Sequence, residues 1–156
     1  MRKDEFVMRG QTASRNTGAS PPVLGEEVLN FSGFKQGYAY KLTEFNLYPS
    51  TNVISQNAEL CGSITAGKAA IDPTNPNFNN DALIATSCLF HGPNHEEITT
   101  TLSVVNDTFL ITQNLILAVR DSQNNPINWE CRFKPVKMAK AEETVANYKQ
   151  FTISDE

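Results

Sequence analysis

The sequence predicts an all-β fold: a single antiparallel β-sandwich or jelly-roll-like domain with an extended N-terminal arm and at most one short helix. Three observations carry this. Segments of period-two alternation recur between Gly37 and Phe133, separated by turn formers. Asn and Thr are abundant, at 16 and 14 residues. Asn tolerates left-handed backbone and closes its own turns, and Thr prefers strands, so the pair points to short strands with elaborate loops. Helix-favouring Ala, Lys and Glu cluster only in Ala139–Asn147, which predicts about two helical turns there.

Taken in order, residues 1–26 read as a flexible arm, polar and punctuated by Gly10, Gly18, Pro21, Pro22 and Gly25. Phe6, Val7 and Met8 are its only apolar cluster. An isolated segment of this kind buries too little apolar area to offset an ordering cost of about 1–2 kcal/mol per residue. It is therefore expected to order on a neighbouring subunit, with those three residues as anchors. Residues 27–156 form the predicted sandwich domain. Val28–Phe34 opens it, with a turn at Ser32-Gly33. In Gly37–Tyr48, Tyr38, Tyr40 and Leu42 share one parity and Phe45 and Leu47 the other, which predicts either a bulge near Thr43-Glu44 or a strand that switches sheets there. Pro49 ends that strand. Ala58–Thr65 alternates cleanly. Ala66–Asp81 is a long Asn- and Pro-containing excursion, the kind of loop that commonly binds. Ala82–Phe90 is a strand with Ala82, Ile84, Cys88 and Phe90 on its inner face. Ile98–Val104 is another, turned by Asn106-Asp107. Leu115–Val119 is almost continuously apolar and suits a central strand. It is expected to pair as a hairpin with Ile127–Phe133, where Ile127, Trp129, Cys131 and Phe133 alternate with Asn128, Glu130, Arg132 and Lys134. Tyr148–Ile153 is a last candidate strand.

Composition narrows the function. A chain of 156 residues with 40% hydrophobic and 19% charged residues is a globular domain. A net charge of −4 argues against a general nucleic-acid binder, which needs a basic face. No apolar run approaches the ~18 residues of a membrane span, and no signal-peptide pattern opens the chain. Three widely spaced cysteines make no disulfide framework, and each is expected to serve as a small core residue.

Four constellations invite chemistry and fail their context. Gly62-Ser-Ile-Thr-Ala-Gly67-Lys68 fits a phosphate-loop spacing. The metal-binding hydroxyl is replaced by Ala69, however, and Pro73 forbids the following helix. Cys88, His91, His95 and Glu96 offer zinc-ligand types, yet Cys88 is expected in the core and only one cysteine is present. The same Cys–His pair lacks an orienting acid and an oxyanion feature. The adjacent carboxylates Glu26-Glu27, Glu96-Glu97 and Glu142-Glu143 point opposite ways in extended chain. Tyr38, Tyr40, Tyr48 and Trp129 could stack a sugar. Trp129 is expected in the core and Tyr48, beside Pro49, at an edge. The expectations are no enzyme, no cofactor and no metal.

The opening Met1-Arg-Lys-Asp-Glu-Phe, the Gly10-Gln-Thr-Ala-Ser run and the Asp72-Pro-Thr-Asn-Pro-Asn-Phe loop resemble small structural proteins of marine tailed bacteriophages. The resemblance implies a virion component with no catalytic residues. It agrees with a β-rich domain that works by contact. The expected role is a capsid-associated protein of the decoration or cement kind, or another shell component, made in the host cytoplasm. Its partners would be its own copies and other virion proteins, the major capsid protein first. A tail or head–tail connector subunit and a carbohydrate-binding host-adsorption module are the alternatives.

Overall fold

A computed structural model describes residues 5–13, 25–31, 37–51, 57–67, 69–92 and 101–138. Among them are eight strands and no helix: β1 Phe6–Thr12, β2 Gly25–Leu29, β3 Tyr38–Pro49, β4 Ala58–Thr65, β5 Leu83–His91, β6 Leu102–Val105, β7 Leu115–Asp121 and β8 Ile127–Lys137. The expected helix at Ala139–Asn147 and strand at Tyr148–Ile153 lie outside the described residues. Sheet A has the order β1-β8-β3 and sheet B the order β2-β7-β4-β5-β6. Every pairing is antiparallel.

The pairings are nested. β1 pairs with β8, β2 with β7 and β4 with β5, as in a long ribbon folded over on itself. The remaining level belongs to β3 and the chain between β6 and β7. It is made by the Tyr40–Ile111 bridge, whose two backbone hydrogen bonds are 2.9 and 2.8 Å. This is jelly-roll connectivity, with one of its four ribbon levels reduced to a single bridge. Phe109 and Ile111 are buried where that segment crosses from one sheet to the other.

The core lies between the sheets. The β8 alternation is as the sequence predicts: Ile127, Trp129, Cys131 and Phe133 are all buried. The predicted bulge is present, as a register shift between Leu42 and Glu44 against β8. The Thr43 hydroxyl there donates to the Arg132 carbonyl at 3.2 Å. The extra residue brings Phe45 and Leu47 onto the inner face already occupied by Tyr40 and Leu42, and all four are buried. Opposite them, β4 presents Gly62. A Cβ there would lie 3.1 Å from Phe45 and 3.2 Å from Leu47, so the residue under that aromatic has to be small. From β7, Leu115, Leu117 and Val119 are fully enclosed, as expected of a central strand.

Three expectations are corrected. β7 and β8 are not a hairpin: they belong to different sheets. The connection is a tight turn in which Asp121 accepts from the Gln123 amide at 2.7 Å and Asn124 takes a left-handed φ of 61°. Turn formers of this kind serve a step between sheets, about 10 Å, as well as a step between neighbouring strands, about 4.8 Å. Second, β5 does not turn Cys88 inward. A register shift at Ile64/Thr65 inserts Ile84 as an extra residue. Ala85, Ser87 and Leu89 then face β4's inner positions, and Cys88 is exposed.

The third concerns residues 1–26. Phe6–Thr12 is a strand of this chain's own sheet. Phe6 stacks on Phe133 with ring centroids 5.2 Å apart and meets Tyr40 edge-on at 5.3 Å. Phe6 and Met8 thus pack on the sandwich core, and of the three expected anchors only Val7 lies on the outer face. The entropy argument for an isolated arm holds, but the body supplies the apolar surface that the segment lacks. Residues 14–24 lie outside the described residues.

β1 is also fitted to Trp129. The indole lies across Gly10, where a Cβ would come within 2.7 Å of the ring. Its N–H donates to the Thr12 hydroxyl at 2.9 Å. Trp129 is therefore structural, with its polar handle satisfied by the same strand that covers it.

Candidate interaction surfaces

Two outward surfaces follow from this architecture. The first is the outer face of sheet A. Asn128, Glu130, Arg132 and Lys134 of β8 run down its middle, between Arg9 and Gln11 of β1 and Lys41, Glu44, Asn46 and Tyr48 of β3. Arg9 meets Glu130 at 3.0 Å, and Arg132 meets both Glu130 at 3.2 Å and Glu44 at 3.3 Å. Gln11 donates to Asn128, which donates in turn to the Pro49 carbonyl. Tyr48 stands out of this polar lattice at 58% exposure, beside an open cleft that Arg9, Asn46, Asn128 and Glu130 also line. The ion pairs contribute little to folding. Arg9 is 74% exposed and Glu44 57%, and pairs in that setting are worth about 1 kcal/mol or less. Arg132→Ala is expected to lower unfolding stability by no more than about 1 kcal/mol, with the difference shrinking in high salt. Urea denaturation at two salt concentrations measures it. A loss of several kcal/mol would show that this lattice supports the fold.

The second surface surrounds the excursion between β4 and β5, which folds back over the outer face of sheet B. The Ser63 hydroxyl donates to the Ile71 carbonyl at 2.7 Å, and the Ile71 amide donates to the Thr65 hydroxyl at 3.3 Å. Both hydroxyl residues are thereby buried. Asp72, Asn77 and Asn80 each accept from an amide two residues on, so three side-chain turns shape the loop. Near its tip Phe78 is 64% exposed. Beside it, edge strand β6 presents Leu102 at 65% and Val104 at 45%. Phe78 and Val104 line one groove with Ile84 and Thr86. Among the described residues β6 ends its sheet, and exposed apolar residues on such a strand are a ready contact surface. In sequence these residues are ordinary members of a loop and a strand. Only their proximity marks them.

The sequence-derived candidates disperse. Gly62 to Thr65 are strand residues of β4, and the Thr65 hydroxyl is engaged by Ile71. Lys68, His95, Glu96, Glu97, Glu142 and Glu143 lie outside the described residues. Among the described residues, no three His, Cys, Asp or Glu side chains converge as metal ligands would. Glu26 and Glu27 are both exposed neighbours on β2. Tyr38 and Tyr40 face the core, and burial beside Tyr38 pushes the Tyr40 hydroxyl's pKa up. Asn106, expected as a turn residue, closes its turn with a side-chain carbonyl that accepts from the Thr108 amide and hydroxyl. The cysteines divide by depth. Cys131 is buried and its pKa is pushed up by desolvation, Cys61 is intermediate, and Cys88 is exposed.

No family model matches the sequence, and no curated protein matches it. Solved structures do match the fold. Merkel cell polyomavirus VP1 in complex with 3'-sialyllactosamine aligns with a TM-score of 0.53 at 6% identity, covering 86% of this chain and 95% of that one. The same virus's VP1 as an unassembled pentamer aligns with a TM-score of 0.53 at 7% identity, over 86% and 96%. VP1 of Trichodysplasia spinulosa-associated polyomavirus in complex with 3'-sialyllactose aligns with a TM-score of 0.51 at 6% identity, over 89% and 96%. At such identities the likeness is one of fold, and this chain is a jelly roll of the architecture that VP1 proteins share.

Proposed function

We propose that this chain is a structural protein of a virus particle, of the tailed-bacteriophage kind its sequence resembles. It acts by protein–protein contact as a capsid-associated decoration, cement or shell subunit. The observation that carries this reading is the extent of the match: one jelly roll accounts for 86% of this chain and 95% of a VP1 chain. The surfaces support it. The Phe78, Leu102 and Val104 group is an exposed apolar contact on and beside β6, the last strand of sheet B among the described residues. The reading entails a homo-oligomer, since shells are built by repeating one contact under closed symmetry. It also entails a location in the virion, with the major capsid protein as the other partner.

The test combines sedimentation of the full chain with quantitative protein counting on purified particles. A closed oligomer and a high copy number are expected, and Val104→Asp should reduce assembly while leaving the circular dichroism spectrum unchanged. A chain that remains monomeric at high concentration and is absent from particles would overturn the reading. A copy number of about a dozen or fewer would select the tail or connector role, by the symmetry of those assemblies.

One observation favours a second reading, a host-adsorption module that binds carbohydrate. Tyr48 is exposed beside the Asn46 and Asn128 amides, which is how a sugar ring is stacked and hydrogen-bonded. The matched VP1 structures include complexes with 3'-sialyllactosamine and 3'-sialyllactose. Glycan-array binding that is lost in Tyr48→Ala would establish it.

A further inference from the structure

Cys61 and Cys88 are far apart in sequence but directly opposite each other in the β4–β5 register. Both are free thiols, on the outer face of sheet B. The kind of pairing they occupy follows from the hydrogen bonds around them. The Glu59 carbonyl accepts from Ser122 on the β7 side, and the Ala66 amide donates to Ala82 on the β5 side. Since backbone groups alternate along an antiparallel strand, Glu59 and Cys61 direct theirs to β7, while Leu60 and Gly62 direct theirs to β5. Cys61 and Cys88 therefore form a non-hydrogen-bonded pair, the closer of the two kinds, with Cα atoms about 4.5 Å apart. That separation falls inside the range that a disulfide spans, roughly 4.4–6.8 Å.

We propose that Cys61 and Cys88 are an oxidative modification site that closes as a cross-strand disulfide when the chain meets a low-molecular-weight disulfide such as oxidised glutathione. The two thiols have different parts. Exposed Cys88 attacks first: its thiolate displaces one glutathione thiolate and forms a mixed disulfide. Cys61 then loses its proton and attacks the Cys88 sulfur, releasing the second glutathione thiolate. One protein disulfide forms, the reagent disulfide is reduced to two thiols, and the two protons lost by the cysteines end on those thiols. The second step is the slower one at neutral pH. Burial, with Asp72, Cys88 and Glu59 adding to it against the opposing Arg120, pushes the Cys61 thiol up to about 11. The attacking thiolate is therefore scarce at pH 7 and grows as pH rises toward that value. Cys131, enclosed between the sheets, takes no part. The site does not depend on the proposed role in a particle, because any oxidising medium would close it.

The test incubates the folded full chain with oxidised glutathione, then blocks remaining thiols and maps the cysteines by mass spectrometry. The expected product keeps one free thiol, Cys131, and contains a peptide in which Cys61 is linked to Cys88. Closure should accelerate between pH 7 and 9. Cys61→Ser should stop at a stable glutathione adduct on Cys88, and Cys88→Ser should leave Cys61 unmodified over the same time. A glutathione adduct on Cys88 that persists in the parent chain would overturn the proposal. So would a Cys88–Cys88 link between two chains, or three free thiols after exposure.

Discussion

Trp129→Ala is expected to lower unfolding stability by about 3–5 kcal/mol, the usual cost of deleting a core aromatic. The indole is 8% exposed and lies on the inner face of sheet A, across Gly10 of β1. Its removal opens a cavity that Gly10, with no side chain, cannot fill. It also strips the buried Thr12 hydroxyl of its donor, 2.9 Å away. That second loss can be separated. Trp129→Phe keeps most of the apolar volume and forfeits the hydrogen bond, so it should cost less than the alanine variant. Trp129 is the only tryptophan, so unfolding has to be followed by circular dichroism. An alanine variant within about 0.5 kcal/mol of the parent, in the range of ordinary surface substitutions, would mean that the indole is not part of the core.

Removing residues 1–12 is expected to abolish cooperative unfolding altogether. The truncation takes away the whole partner of one side of β8, from Phe133 to Ile127. It deletes Phe6 from the aromatic group it forms with Phe31, Tyr40 and Phe133. It uncovers Trp129 and leaves the β8 edge open to pairing with other chains. Summed, these losses rival the entire stability of a domain, about 5–15 kcal/mol. A dye that reports exposed apolar surface should bind the truncated chain, and a peptide of residues 1–13 added back should reduce that binding. If the truncated chain melts cooperatively within a few degrees of the parent, β1 is dispensable and residues 1–12 are free to serve a neighbouring subunit.

What was legible in the sequence is what local periodicity encodes. The β8 alternation, the change of parity in β3 and the limits of β4 were all readable, because a side chain's face in a sheet is set by counting along one strand. The parity break near Thr43 was informative for the same reason: only an extra residue lets both halves of β3 face one core. β5 shows the limit of counting. Its register shift puts Cys88 outside, and nothing in Leu83–His91 alone announces it. The candidate surfaces were largely hidden. Tyr48 could be placed at an edge because Pro49 follows it, whereas Phe78 and Val104 become one surface only when the excursion folds back over β5.

By itself, then, the sequence determined an all-β sandwich and the inner faces of β4 and β8, because alternation and turn chemistry are properties of neighbouring residues. Only the tertiary structure decided which strands share a sheet, that β1 belongs to the body and that Cys61 faces Cys88. Each of these depends on groups distant in the chain: the bond that seats Trp129 on β1 joins residues 117 positions apart. The contacts exist only once the sheets have closed on each other, and the free energy that selects them is apolar burial shared among many strands.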